Sequence, residues 1–307
     1  MNQDNYVIPI SSLANNDELI TRMLSEHLYD GKLALALGAG VSRFLGFPLW
    51  WELVHGICVE HYGESSVNKD TTTNELKDTV DEIKRNINNS MKFNKLVKKV
   101  LYKNMNYFND STVIRNELLI SLGALMMGSR RGSVNNVITY NYDDVLEWYL
   151  GLHGFNVRVI HDPRTMTTNS DVTIYHPHGF LPSQYNKGCS RELIFSETSF
   201  TYRQRGIAVD DRLWENILDR LFIEKIYIFI GLSGKDPTIF PRLLDIYESQ
   251  LNRKRPVGYW FYIREDGMER QETKKNLKYG LVPIVVKNAD DIPRYLLNIC
   301  QEAMARI

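Results

Sequence analysis

Three polar side chains that could take part in a reaction stand directly after apolar stretches of the chain. Asn141 and Asp143 belong to the motif T-Y-N-Y-D (139–143), and His178 belongs to the motif H-P-H-G (176–179). An asparagine amide holds a hydroxyl or a water molecule by hydrogen bonds without adding charge. A histidine with an ordinary pKa of about 6.5 accepts a proton near neutral pH. The pattern therefore predicts catalytic roles for Asn141, Asp143 and His178.

Each of these residues also has an interpretation that involves no chemistry. The polar residues of T-Y-N-Y-D could cap a helix that begins near Val145, and a single histidine is often a hydrogen-bonded core residue. His176 and His178 could form a metal pair, but no cysteine and no obvious third ligand accompanies them, so we expect no metal. Of the two histidines we favour His178, because Gly179 beside it would let a ligand come close.

Two turns of small residues follow apolar segments and could contact a phosphate or a ribose. Glycines let a backbone approach a pyrophosphate, and the next helix offers N–H groups to its charge. The third glycine of the Rossmann fingerprint is replaced by Arg43, and no P-loop is present, so tight packing or helix capping explains the turns equally well. The candidate binding residues are Gly38, Ala39, Gly40 and Ser42 in the first turn, and Gly231, Ser233 and Asp236 in the second.

Apolar segments of strand length must position these motifs. Most of these segments are near-continuous apolar runs, as parallel strands buried on both faces are, and helical patterns lie between many of them. This alternation predicts an α/β fold with a doubly wound, mostly parallel Rossmann-like sheet, in which the motifs share one edge. The predicted strands cover residues 32–37, 136–140, 156–160, 172–176, 225–231, 258–263 and 281–286.

A polar, Asn- and Lys-rich region separates the first two predicted strands. It carries apolar residues at helical spacing, among them Leu76, Val80 and Ile83. We interpret residues 57–132 as a helical insertion within a single domain that spans residues 1–307.

The composition excludes several classes of protein. The 37 Lys plus Arg residues equal the 37 Asp plus Glu residues, so we expect nucleic acid to act only indirectly, through a partner. Cys58, Cys189 and Cys300 stand too far apart for a four-thiolate zinc site or a disulfide framework, which favours a cytoplasmic protein. We expect no signal peptide, because the N-terminal segment has no basic region followed by an apolar run, and no membrane span, because no apolar run reaches about 18 residues.

In their order along the chain, the motifs G-A-G-V-S, T-Y-N-Y-D, H-P-H-G and G-L-S-x-x-D resemble the sirtuin (SIR2-like) NAD-binding fold. The resemblance runs from about residue 30 to about residue 290. It implies that NAD is bound as the substrate, with Asn141 positioning water and ribose and His178 acting as general base. It also implies that Gly38, Ala39, Gly40 and Ser42 contact the pyrophosphate, Asn141, Asp143 and His178 surround the nicotinamide ribose, and Gly231, Ser233 and Asp236 face the adenosine half.

Two departures separate the chain from protein-deacylating sirtuins. The cysteine pairs of their zinc module are missing, and their G-I-P-D-F-R-like segment reads G-F-P-L-W-W at residues 46–51. This variant is similar to the SIR2-like effectors of bacterial anti-phage defence, which consume NAD. The resemblance implies an NAD glycohydrolase acting in abortive infection, as a homo-oligomer or with a partner such as a HerA-like ATPase or a short Argonaute. An NAD-dependent protein deacylase and a non-catalytic NAD or ADP-ribose sensing scaffold remain alternatives.

Overall fold

One seven-stranded sheet, parallel throughout, organises the fold in the order β3-β4-β2-β1-β5-β6-β7. The computed structural model describes residues 13, 16–105, 111–127, 133–165, 169–183, 189–190, 192–195, 199, 201, 205, 208–234, 239–249, 255–264 and 277–306. The strands are β1 (Leu33–Leu37), β2 (Asn136–Thr139), β3 (Val157–Ile160), β4 (Val172–Tyr175), β5 (Ile226–Ile230), β6 (Gly258–Ile263) and β7 (Leu281–Val286). The predicted α/β fold with a Rossmann-like parallel sheet is confirmed.

The order of the strands creates a switch point at β1. The chain passes from β1 to β2 on one side, and after β4 it returns to β5 on the other side of β1. The sequences of β1, LALAL, and β5, IYIFI, are buried at every position, as strands covered on both faces must be. In sheets of this kind, ligands bind beyond the carboxyl ends of the strands at such a switch point.

Helices cover both faces of the sheet. Because side chains alternate along a strand, Leu35 of β1 joins one apolar cluster and Ala36 joins the other. Within the described residues, none of the helices combines the length and the apolar character that a membrane crossing requires. The helices are α1 (Asp17–Tyr29), α2 (Gly40–Arg43), α3 (Trp50–Tyr62), α4 (Thr73–Ile87), α5 (Ser90–Leu101), α6 (Ser111–Ile114), α7 (Glu117–Met127), α8 (Val145–Leu152), α9 (Val209–Glu224), α10 (Phe240–Ser249) and α11 (Asp291–Met304).

The region between β1 and β2 is largely helical. α4 begins at a capping box, in which Thr72 and Glu75 satisfy each other's backbone N–H groups, and it buries Leu76, Val80 and Ile83 on one side. That face packs into the same apolar cluster as α3 and α5. The helical spacing is therefore confirmed, while the division into a single domain with an insertion over residues 57–132 stays a prediction.

Candidate functional site

Three strands end at the same level beside the switch point. Leu37, the last residue of β1, lies opposite Thr139 of β2 and opposite Ile230 of β5. The backbone continues the pairing one step further, since the Tyr140 amide donates to the Leu37 carbonyl (2.9 Å) and the Gly38 amide donates to the Ile230 carbonyl (3.0 Å). This register brings the motifs after β1, β2 and β5 to one edge of the sheet.

The two glycine turns at this edge pack directly against each other. The Gly40 amide donates to the Gly231 carbonyl oxygen at 3.0 Å. A Cβ atom on Gly38 would lie 2.5 Å from that same oxygen, and one on Gly231, where φ is +71°, would lie 2.6 Å from the Val41 nitrogen. This packing explains the glycines without a ligand, so a contact of residues 38–42 with a pyrophosphate stays a prediction.

A chain of side-chain hydrogen bonds connects the first turn to the motif after β2. The Ser42 hydroxyl donates to Oδ2 of Asp143 at 3.0 Å. The Asn141 side-chain amide donates to the Ser42 Oγ and to the Gly38 carbonyl, each at 3.2 Å. The structure thus brings together three of the sequence-predicted residues, since Ser42 meets Asn141 and Asp143, which lie about a hundred positions further along the chain.

The members of this network differ in their exposure. Ser42 and Asp143 are buried, with 3% and 7% of their surface exposed, whereas Asn141 is only partly buried. A small cavity of about 10 Å³, the space of one water molecule, lies against Ser42, Asn141 and Asp143. Asn141 is therefore the member of the network that a ligand outside the protein interior can reach.

Burial raises the pKa of the Asp143 carboxyl group. Desolvation, and then the nearby Glu147 carboxylate, raise the pKa of Asp143 from 3.8 to about 7, against the hydrogen bonds from Ser42 and from the Val145 amide. The Val145 amide, at the first residue of α8, donates to Oδ1 of Asp143 at 3.3 Å, but the N-cap residue of this helix is Asp144, and its side chain makes no capping bond. A carboxyl group with a pKa near 7 can hold or release a proton near neutral pH.

His178 is buried at the same edge of the sheet. Its ring packs edge-on against Tyr140, the neighbour of Asn141, with 4.8 Å between the ring centroids. The expected open space beside Gly179 is filled by protein, because a Cβ atom there would lie 2.7 Å from a Leu193 methyl group. Gly179, with a φ of +109°, is thus required by the backbone conformation and by packing. The catalytic role of His178 stays a prediction.

The second turn is described only in part. Gly231 is partly buried, Ser233 is exposed, and Asp236 lies outside the described residues. Their assignment to the adenosine half of NAD therefore stays a prediction.

Sequence reasoning missed one buried pair, Glu147 and His176. Nε2 of His176 lies 2.6 Å from Oε1 of Glu147, and Nδ1 of His176 lies 3.0 Å from the carbonyl oxygen of Asn141. Both side chains are buried, to 0% and 4% exposure for His176 and Glu147 respectively. The available signal was Glu147 itself, the one charged residue in the apolar sequence VLEWYLGL of α8.

No group of three or more His, Cys, Asp or Glu side chains is placed to hold a metal ion within the part of the chain that the structure describes. The two histidines of H-P-H-G differ in their contacts: His176 bonds to Glu147 and to Asn141, and His178 packs on Tyr140. These contacts satisfy both nitrogens of His176 within the protein.

Comparison with known families gives an independent result. A family model described as a SIR2-like domain matches residues 135–284, from the residue before β2 into β7. The matched segment contains Asn141, Asp143 and His178, but not the turn at residues 38–42. A comparison with curated proteins finds no match. The match supports the SIR2-like family and is consistent with an NAD-utilising enzyme, and the parallel sheet is consistent with a SIR2-like fold.

Proposed function

We propose that this protein is an NAD glycohydrolase, which splits NAD into nicotinamide and ADP-ribose. The observation that carries the proposal is the network at the carboxyl ends of β1 and β2, inside or beside the segment that matches the SIR2-like domain. In this network the partly buried side-chain amide of Asn141 donates to the buried Ser42 hydroxyl. That hydroxyl donates in turn to the buried carboxyl group of Asp143.

The side chains present fit the demands of this reaction. Nicotinamide leaves as a neutral pyridine, so the leaving group needs no general acid. What remains is to stabilise positive charge on the ribose and to direct a water molecule at it, as glycosidases do with carboxylates. Because Nδ2 of Asn141 is bonded to Gly38 and Ser42, its Oδ1 is the atom that would accept a hydrogen bond from a ribose hydroxyl or water. Asp143 supplies negative charge nearby when its carboxyl group, with a pKa of about 7, is ionised, and His178 accepts the proton that the attacking water releases.

Release of nicotinamide from NAD tests the proposal directly. Purified protein is incubated with NAD, alone and with the products of neighbouring genes, and we expect release that falls about 100-fold or more in Asn141→Ala and in His178→Ala. His153→Ala, an exposed histidine at the end of α8, is the matched control and is expected to retain wild-type activity.

Three results would contradict the proposal in different ways. Undiminished release in both site variants would show that the catalytic residues lie elsewhere. Release that requires an acyl-lysine peptide would identify a deacylase. Binding of NAD or ADP-ribose without turnover under every condition would favour the sensing scaffold.

We further propose that the activity serves abortive infection against phage and is controlled by assembly. Unregulated hydrolysis would exhaust the NAD of the host cell, so the enzyme needs an off state. The resemblance supports a cytoplasmic homo-oligomer, or a complex with a HerA-like ATPase or a short Argonaute. With a net charge of +0, nucleic acid would act through that partner. Light scattering with a parallel NAD assay tests this, and a fully active monomer would contradict it.

A further inference from the structure

Asn141 lies in the loop between β2 and α8, outside any strand or helix. β2 ends at Thr139, and Asn141 precedes the start of α8 at Val145, so no strand ladder or helix holds its peptide groups. Its amide donates to the Thr139 hydroxyl at 3.2 Å, and its carbonyl oxygen lies 3.0 Å from Nδ1 of His176. The orientation of its backbone therefore depends on two side chains, the Thr139 hydroxyl two residues before it and the His176 ring from the segment after β4.

The hydrogen bond to the Asn141 carbonyl oxygen determines which ring nitrogen of His176 is protonated. A carbonyl oxygen only accepts hydrogen bonds, so Nδ1 must carry a proton and donate it to Asn141. At the other end of the ring, Nε2 and Oε1 of Glu147 lie 2.6 Å apart and share one proton. Whether that proton resides on the imidazole or on the carboxyl group, the bond from Nδ1 to Asn141 is preserved.

We infer that Glu147 and His176 are a positioning pair, which holds the Asn141 peptide group so that its side-chain amide meets the substrate in one orientation. This inference rests on the proposed function. Glu147 lies on α8 and His176 follows β4, so the pair ties the loop after β2 to two neighbouring elements. His176 is fully buried, and Glu147, at 4% exposure, borders the small cavity beside Asn141, so both are placed to act through Asn141.

A matched set of variants separates positioning from packing. In Glu147→Gln, the glutamine amide can donate to Nε2 of a neutral His176 ring. Nδ1 of His176 still donates to the Asn141 carbonyl, so this variant preserves the geometry of the pair. The double variant Glu147→Leu/His176→Phe removes both partners, which avoids leaving a single buried charge and favours retained folding. His153→Phe, which removes a ring bonded to the Tyr149 carbonyl of the same helix, is the control.

The kcat and KM of NAD hydrolysis should distinguish these variants. We expect kcat to fall about 100-fold in the double variant with KM changed less than about threefold, because the bound substrate meets a misoriented amide. Glu147→Gln and His153→Phe should retain kcat within about threefold of wild type. A double variant that folds and keeps the wild-type kcat overturns the inference. So does a loss in Glu147→Gln as large as that in the double variant.

A second measurement is independent of turnover. In NMR spectra of the protein without NAD, the Asn141 side-chain amide signals should move in the double variant and stay in place in Glu147→Gln. Unmoved signals in the double variant overturn the inference even if activity is lost. A wild-type protein that releases no nicotinamide overturns the proposed function instead, and the placement of Asn141 is then decided by these signals.

Discussion

Asp143 ties the chemistry of the site to the stability of the fold. Its pKa is raised to about 7 from an ordinary value of 3.8, mainly by burial. Between these two pH values, the folded protein binds a proton that the unfolded chain has released. The free energy of unfolding therefore falls as the pH rises through this window, and the contribution of the protonated carboxyl is lost above about pH 7.

Replacing Asp143 with asparagine should remove this dependence. The asparagine side chain keeps an acceptor and carries no charge, so Asp143→Asn should gain stability over wild type as the pH rises from about 4 to about 8, by a few kcal/mol in total. Urea unfolding of both proteins at several pH values measures the difference, and taking the difference cancels the titration of other groups. A constant difference across this range would show that Asp143 does not titrate there.

The residues that bear chemistry were predictable where the motif itself contains them. Asn141 and Asp143 follow an apolar strand in sequence, and the structure joins both to Ser42. Glu147 and His176 were not recognised as partners, because 29 positions separate them and only the folded chain places α8 next to the segment that follows β4. A hydrogen bond to a backbone carbonyl, such as that of Asn141, leaves no sign in the sequence.

At the scale of elements, the contact between the two glycine turns sets the geometry of the site edge. The Gly40 amide bonds to the Gly231 carbonyl, which fixes the start of α2 against the end of β5. Ser42 lies on α2, so any displacement of this turn also displaces the hydroxyl that holds Asp143 and Asn141. The turn after β5 therefore supports the network without belonging to it.

An alanine at position 231 should test this contact against a matched glycine. Gly31 has a similar φ of +65° with no atom within 4 Å of an added Cβ, so Gly31→Ala should cost only the left-handed strain, about 1–2 kcal/mol. Gly231→Ala adds a Cβ 2.6 Å from the Val41 nitrogen and should cost about 1–3 kcal/mol more. Urea unfolding measures the free energy of unfolding of both variants. An equal decrease in the two would show that the two turns can move apart without cost.

The elements themselves were more predictable than their arrangement. Each predicted strand corresponds to an observed one, because buried parallel strands are short apolar runs that end at polar or glycine-containing turns. The position of β1 between β2 and β5 was not derivable, since strand order depends on which helices pack on which face. The mutual packing of the glycine turns follows from that order, whereas the sequence offered only tight packing of each turn, or helix capping, as the alternative to a ligand.

For the whole molecule, α11 joins segments that are far apart in the sequence. It packs against α1 near the beginning of the chain and against α7 before β2, within the apolar cluster that covers one face of the sheet. An exposed ion pair between Arg306 and Glu26 (3.0 Å) lies beside this contact and adds little, because solvent screens it. The buried face of α11 should therefore stabilise the fold as a whole.

Adjacent leucines on α11 allow this contribution to be measured. Leu296 is fully buried in the cluster, whereas Leu297 has 36% of its surface exposed. Leu296→Ala should lower the free energy of unfolding by about 2–5 kcal/mol, and Leu297→Ala by less than about 1 kcal/mol. If the fold is one cooperative unit, circular dichroism and the NMR signals of the Asn141 amide will report the same shifted urea midpoint in Leu296→Ala. If circular dichroism and the Asn141 signals gave different urea midpoints, α11 and its neighbours would unfold without disturbing the site. The network at β1 and β2 would then be supported by the other face of the sheet.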